Sequence, residues 1–294
     1  MLRYRLVRLS LRGSFPLPVA CLIGASLLLY GWVLLDLSRN WIRDETYSHG
    51  FLVLPVVAYL IWKRRGQLAS TERRPVNGGL LIVVGSLIML LVGTAGVEFF
   101  LMRTSAVGVA VGAVLFVAGW RWLRILLFPL AFALLMIPLP AIVFYQIAFP
   151  LQLLATRFGV AVLQLAAVPV LREGNVIVLA HATLEVAEAC SGIHSLVSLF
   201  ALAVLFGYLA DLRLGRRLLI ALLSIPIAII ANGARVAGTG IAAHYVGAAA
   251  ASGFLHAFSG VVVFAASFAM LMGLAGIMRA IDPPAAIGRP EPAL

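Results

Sequence analysis

Long blocks of apolar residues, separated by short polar or basic segments, constrain this chain more than any other feature. Hydrophobic residues make up 63% of the 294 residues and charged residues only 11%, whereas an ordinary soluble domain carries about 25% charged residues. A helix that crosses a bilayer needs about 20 mostly apolar residues, and several blocks approach that length. The pattern predicts an all-α polytopic membrane protein embedded in a lipid bilayer.

About eight blocks are predicted to be transmembrane helices, at residues 18–35, 50–62, 78–97, 105–120, 125–137, 193–210, 218–234 and 257–278. This reading divides the chain into three parts. Residues 1–17 form a basic cytoplasmic N-terminus, and residues 18–278 form one multi-span membrane domain. Residues 279–294, rich in proline and alanine, form a disordered cytoplasmic tail.

The segment after the fifth block is less regular. Pro138, Pro140 and Pro150 disfavour a helix interior, so we expect the helix to end there and a re-entrant or interfacial piece to follow. Residues 151–168 are long enough to span the bilayer, but polar side chains interrupt them. Spanning and lying in the interface both stay open for this segment.

Two short β-rich pieces precede the sixth block. Residues 176–179 and 183–186 are rich in valine, leucine and threonine and are separated by the sequence AHA. Such a pattern is typical of two short paired strands. We therefore expect a small periplasmic hairpin just before Cys190.

The net charge of +11 is best explained by membrane topology. The basic residues border the apolar blocks, as they do in cytoplasmic loops of membrane proteins, so we expect no nucleic-acid partner. With a cytoplasmic N-terminus, 16 of the 22 positive residues fall on the cytoplasmic side: Arg3, Arg5, Arg8, Arg12, Lys63, Arg64, Arg65, Arg73, Arg74, Arg121, Arg124, Arg213, Arg216, Arg217, Arg279 and Arg289. The bias predicts that both termini are cytoplasmic.

Three chemically capable side chains then share the periplasmic face. Cys190 lies at the outer end of the sixth block, Arg235 at the outer end of the seventh, and His256 at the outer start of the eighth. A thiolate is favoured at a helix N-terminus, an imidazole can protonate a leaving amine, and a guanidinium can stabilise an oxyanion. This combination suits acyl transfer on a peptide bond.

Each of these residues also has a structural explanation. A cysteine beside serine and glycine is often a helix-packing residue, and Arg235 can be an interfacial anchor. His256 can be a packing residue, and His194 and His244 compete for its role. His194 lies one helical turn after Cys190, which makes it a rival on geometry.

Cys21 and Cys190 are not expected to form a disulfide. Cys21 is predicted near the inner end of the first helix, and the bilayer core that separates the two levels is about 30 Å thick, whereas a disulfide needs Cα atoms within about 7 Å. A free thiol in an oxidising compartment favours a catalytic role for Cys190. The histidines and acidic residues show no ligand spacing, so we expect no metal and no cofactor.

Several segments give the sequence a resemblance to the exosortase family of bacterial inner-membrane enzymes. The most specific is EVAEACSGIHSL at residues 185–196, followed by ANGARV at 231–236 and LHAFSGVVVF at 255–264. TYSHGFLVLP at 46–55 and PVLREGNVIVL at 169–179 are also similar to that family. The resemblance runs from about Trp41 to Met278.

The resemblance implies a membrane cysteine protease and transpeptidase. Cys190 would be the nucleophile that forms an acyl-thioester, Arg235 the oxyanion stabiliser and His256 the general acid and base. The substrates would be secreted precursors that end in a Pro-Glu-Pro-like motif, an apolar helix and a basic tail. An acceptor nucleophile, whose identity stays open, would then take the acyl group. His194 is a departure from the expected pattern and is a candidate for tuning the site.

The alternative is a non-catalytic membrane subunit or a transporter of exopolysaccharide export. Such carriers typically have broken helices, ionisable groups near mid-membrane and inverted repeats. The sequence shows no internal repeat, and its polar groups cluster at one face. This favours an enzyme with its active site on the periplasmic side of the inner membrane.

Overall fold

The computed structural model describes residues 17–180, 182–186, 192–210, 213–247 and 253–281. Its helices are α1 (Leu17–Arg43), α2 (Gly50–Lys63), α3 (Arg65–Ser70), α4 (Gly78–Ala95), α5 (Phe99–Ala118), α6 (Trp120–Ala133), α7 (Ala141–Leu165), α8 (Ile193–Leu209), α9 (Leu214–Val246) and α10 (Gly253–Ile281). Two short 3₁₀ turns, Glu45–Tyr47 and Leu134–Met136, follow α1 and α6.

The predicted class of helical membrane protein agrees with this architecture, but the predicted count of eight spans is not confirmed. Within the described residues, five helices are long and apolar enough to cross a membrane: α4, α5, α7, α9 and α10. The apolar helix α8 is shorter, at 17 residues. Length and composition alone therefore do not decide how many of the remaining helices cross.

Several predicted helix ends were wrong because polar residues lie inside helices. The chain was expected to leave the first helix near residue 35, but α1 continues to Arg43. Residues 98–104 were expected to be a link, but α5 begins at Phe99 and includes Arg103. Arg103 is only 5% exposed and pairs with Asp36 of α1, Nη2 to Oδ2 2.8 Å, so its charge is compensated inside the bundle.

The predicted helix end at Pro138 and Pro140 is present, but the expectation that Pro150 also interrupts a helix was wrong. Helix α7 begins directly after Pro140 and continues through Pro150 as one helix of 25 residues. Proline fits well at a helix start, but inside a helix it removes one backbone hydrogen bond and bends the axis. The surrounding packing of α7 compensates this cost, since Ala148 and Ala155 on either side of Pro150 are buried.

The segment between α6 and α8 starts and finishes at the same end of the bundle. It follows α6, whose far end contacts the loop after α1, where the Tyr47 hydroxyl accepts a hydrogen bond from the Leu139 amide. The next helix, α8, begins at Ile193, which packs with Phe144 near the start of α7. Tyr47 and Phe144 also have neighbouring rings, with centroids 6.5 Å apart. Leu139 and Ile193 therefore lie at one end of the bundle, whereas the last turns of α7 pack on α9 and the sheet.

A small antiparallel sheet follows α7. Strands β1 (Val170–Glu173), β2 (Val176–Leu179) and β3 (Thr183–Glu185) lie in the order β1-β2-β3. The predicted pairing of residues 176–179 with 183–185 is present, with Ile177 opposite Leu184, and β1 is a strand that the sequence did not predict. Ile177 is fully buried against α7 and α9, which fixes the sheet on the bundle.

Basic residues gather at the other end of α8, α9 and α10. The Arg64 guanidinium at the end of α2 donates to the Tyr208 hydroxyl at the end of α8, 3.0 Å. Arg217, near the start of α9, lies over the same ring, and Arg216 donates to the Met278 carbonyl near the end of α10. The structure therefore places at one end of the bundle Arg64, Arg216 and Arg217, which the sequence assigned to the cytoplasmic side of the membrane.

Glycines allow α4 and α5 to approach closely. A Cβ atom at Gly79 would overlap the backbone of Phe116, and one at Gly112 would lie 2.8 Å from the Val83 amide nitrogen. Small residues at such crossings let backbones pack directly, which is a common source of helix association in membranes.

We expect Gly79→Leu to destabilise the protein, because the added side chain must separate α4 from α5. Overpacking typically costs about 1–3 kcal/mol, so the midpoint of thermal unfolding in detergent should fall clearly. Gly85→Leu is the matched control on α4, since nothing lies within 4 Å of a Cβ there. Equal midpoints for the two variants would contradict this packing.

Candidate active site

The segment that carries the predicted nucleophile is anchored by a glycine. Cys190 itself lies outside the described residues, but Gly192 is described and caps the start of α8 with φ +81°. A Cβ at Gly192 would lie 2.7 Å from Cβ and Cγ of Asn232 on α9. The start of α8 and the middle of α9 are therefore in direct contact at Gly192 and Asn232.

Arg235 follows Asn232 by one turn of α9 and points toward α10. Its Nε atom donates to the Ser259 hydroxyl, 3.4 Å. Its Cζ atom lies 3.4 Å from the place that a Cβ would take at Gly260. The absence of a side chain at Gly260 therefore leaves space for the guanidinium between the two helices.

His256 lies on α10 one turn before this contact. Residues three and four apart share one face of a helix, so position 256 is on the face that carries Ser259 and Gly260. The structure describes the helix at His256 but not its side chain. The roles of Cys190, Arg235 and His256 stay predictions. The contacts of Asn232 with Gly192 and of Arg235 with Ser259 bring the start of α8, the middle of α9 and the first turns of α10 together.

The competing histidines differ in position. His244 follows Arg235 by nine residues, which at about 100° per residue puts it on the opposite face of α9. Its Nδ1 atom is buried without a partner among the described residues. His194 lies in the first turn of α8, two residues after Gly192, and is engaged in an interaction. The geometry therefore disfavours His244 and leaves the role of His194 open.

The loop TYSHG, residues 46–50, is held by hydrogen bonds at this end of the bundle. The two ring nitrogens of His49 each lie 3.1 Å from a backbone carbonyl, one of Thr46 and one of Leu135. The Trp41 indole donates to the Met136 carbonyl, 2.9 Å. Burial raises the pKa of the Tyr47 phenol, so Tyr47 remains protonated at neutral pH. His49 thus joins two loops.

No group of three or more metal-binding side chains occurs within the described ranges. Cys190 and Glu188 lie outside those ranges, so the expected absence of a metal stays a prediction.

Sequence reasoning missed Asn232. This side chain is only 3% exposed and lies between Gly192 and Arg235, at the point where α8 and α9 meet. The sequence signal was the amide of Asn232 within the otherwise apolar run IIANGA. Gly192, which it contacts, lies 40 residues earlier in the chain, and no local sequence pattern connects the two residues.

A family model of transmembrane exosortases matches residues 41–273. This range covers most of the chain and includes Cys190, Arg235 and His256. The chain belongs to the transmembrane exosortase family. No curated protein and no solved structure matches the chain. Membership of the exosortase family suggests a sorting transpeptidase in a membrane, which agrees with the resemblance noted in the sequence.

Cross-linking tests whether this exosortase brings residues 190 and 256 together. In a Cys21→Ala background, we expect a short bis-maleimide to join Cys190 to a cysteine introduced by His256→Cys. Gly273→Cys is the control, because it lies on the same helix about 25 Å further along. Mass spectrometry identifies the joined peptides, and a cross-link that forms equally well with both variants, or with neither, would contradict the arrangement.

Proposed function

We propose that this exosortase is a membrane cysteine protease and transpeptidase that cleaves C-terminal sorting signals of secreted proteins. One observation carries the proposal. On α9, Asn232 packs against Gly192, two residues from Cys190, and Arg235, one turn later, contacts Ser259, one turn from His256. Three distant segments of the chain thus supply a thiol, a guanidinium and an imidazole at one end of the bundle.

The proposed reaction has two stages. The Cys190 thiolate attacks the carbonyl carbon of the scissile peptide bond, and the oxyanion of the tetrahedral intermediate is stabilised by Arg235. His256 donates a proton to the departing amine, which leaves with the apolar helix and basic tail. The remaining acyl-thioester is attacked by an acceptor nucleophile, from which His256 removes a proton, and the thiol is released.

The charge distribution supports a periplasmic site. Arg64 and Arg217, which both contact Tyr208, lie at the end of α8 that is remote from Gly192. By the positive-inside rule this basic end faces the cytoplasm, so the site faces the periplasm. Both termini are then cytoplasmic, and the protein lies in a bacterial inner membrane.

The position of Leu139 and Ile193 at one end of the bundle supports the same topology. If α7 does not cross, then α1, α2, α4, α5, α6, α8, α9 and α10 are the eight crossing helices. The start of α8 then lies at the end of the bundle where α1 finishes, in agreement with the contact between Ile193 and Phe144. In this topology the segment 151–168 lies at the periplasmic interface.

Cys190→Ala is expected to abolish processing without preventing insertion, because the acyl-thioester cannot form. The measurement is the ratio of precursor to shortened product for one sorting-signal protein expressed with each variant. Cys21→Ala is the control, since Cys21 lies in the first turns of α1, at the opposite end of that helix from the site, and it should process normally. Unchanged processing by Cys190→Ala would disprove the nucleophile assignment and favour the non-catalytic alternative in exopolysaccharide export.

Arg235→Lys should be nearly as damaging as Arg235→Ala, because a lysine cannot reproduce the planar fork of donors between α9 and α10. Loss of an oxyanion donor typically lowers the rate by roughly 100- to 1,000-fold, and initial rates of product formation measure it. Arg157→Lys is the matched control, an exposed arginine at the same end. A rate for Arg235→Lys within about threefold of the control would exclude the proposed role, since such a difference is far below the loss of one donor.

A further inference from the structure

Asn232 lies at the crossing point of three helices. Its own side chain contacts Gly192 at the start of α8, and the next residue, Gly233, packs directly on Phe158 of α7, where a Cβ would lie 2.6 Å from the ring. Asn232 is 3% exposed. This part of α9 is therefore held between α7 on one side and the segment that follows Cys190 on the other.

An amide is an unusual choice for such a place. Burying a polar group costs free energy unless it is hydrogen-bonded, and leucine would fill a similar volume in an apolar bundle. Asn232 is engaged in an interaction. A polar group retained at a buried helix crossing restricts the crossing to the one arrangement that satisfies it, which an apolar contact does not do.

Two features of Gly192, on the other side of the contact, disfavour any side chain at this position. Gly192 has φ +81°, a conformation that a side chain disfavours. It also has no free space, because Cβ, Cγ and Nδ2 of Asn232 would lie within 2.9 Å of an added Cβ. Gly174 shares only the positive φ, +63°, and nothing lies within 4 Å of an added Cβ there. Substitution of the two glycines therefore distinguishes the effect of backbone strain from the effect of the contact with Asn232.

We propose that Asn232 is a positioning residue, which sets the distance between the Cys190 segment and the Arg235 guanidinium. The reason is geometric. Asn232 contacts the turn two residues after Cys190, and it precedes Arg235 by one turn of the same rigid helix. The roles of the two residues rest on the proposed function, whereas the positioning itself can be tested without any substrate.

The test measures how fast Cys190 reacts with iodoacetamide as a function of pH, in full-length protein with the Cys21→Ala background. A nearby guanidinium favours the thiolate, so moving the thiol away from Arg235 should slow alkylation at neutral pH. We expect Asn232→Leu and Gly192→Ala to slow it by roughly tenfold and to move the midpoint of the pH profile upward. Asn232→Ser, which keeps a small polar group, should recover part of the loss.

Two matched controls separate positioning from general destabilisation. Ser224→Ala removes another buried polar group from α9, whose hydroxyl donates to the Ala221 carbonyl at 2.7 Å. Gly174→Ala introduces the same kind of backbone strain without a contact. Both controls should keep the alkylation profile of the parent protein. Profiles for Asn232→Leu and Gly192→Ala that match those of the controls would overturn the proposal.

Processing of a sorting-signal precursor supplies the second readout. Misplacement of a reacting group by about 1 Å can lower a rate by roughly 100-fold, so Asn232→Leu should lower kcat strongly while KM changes little. If Cys190→Ala processes normally, the proposed function fails, yet the alkylation profiles still decide whether Asn232 positions residue 190. The two failures are therefore distinguishable.

Discussion

The arrangement of the candidate site depends on the close packing of α9 against its neighbours between residues 232 and 240. Gly233, Val236 and Gly240 meet α7 at Phe158, Gly159 and Leu163. The side chain of Asn232 meets the start of α8. Glycine allows these contacts because backbones approach most closely where no Cβ intervenes. A displacement of α9 here would move Arg235 relative to both α8 and α10.

The two ends of the bundle differ in their polar chemistry. At one end, arginines surround Tyr208, whose ring stacks on Phe128 with centroids 3.6 Å apart. At the other end, described polar groups are individually held, as in the contacts of His49 with two backbone carbonyls. Basic groups suit an anionic membrane surface, whereas a site that breaks a peptide bond needs fixed donors in a partly dry environment.

The sequence predicted helices well where an apolar block defines the helix. It predicted them poorly where a polar side chain inside a helix contacts a residue that is distant in the sequence. The second block was predicted at residues 50–62 and forms α2 at Gly50–Lys63. Arg103 was assigned to a link between two blocks, yet it lies inside α5, where Asp36, 67 residues earlier, compensates its charge. Asn232 could not be recognised for the same reason, since Gly192 is its partner only in three dimensions.

Helix α7 shows why apolar length alone does not define a span. It is long and apolar enough to cross, but Phe144 near its start meets both Tyr47 and Ile193, the first residue of the next helix. Its exposed side chains include Ile142 at 75% and Leu165 at 88%, and such apolar groups are favoured in lipid over water. The proposed topology, in which α7 does not cross, places these groups at the membrane surface. In that topology the site beside α7 lies where a peptide bond adjoining a membrane helix of the proposed substrate would be presented.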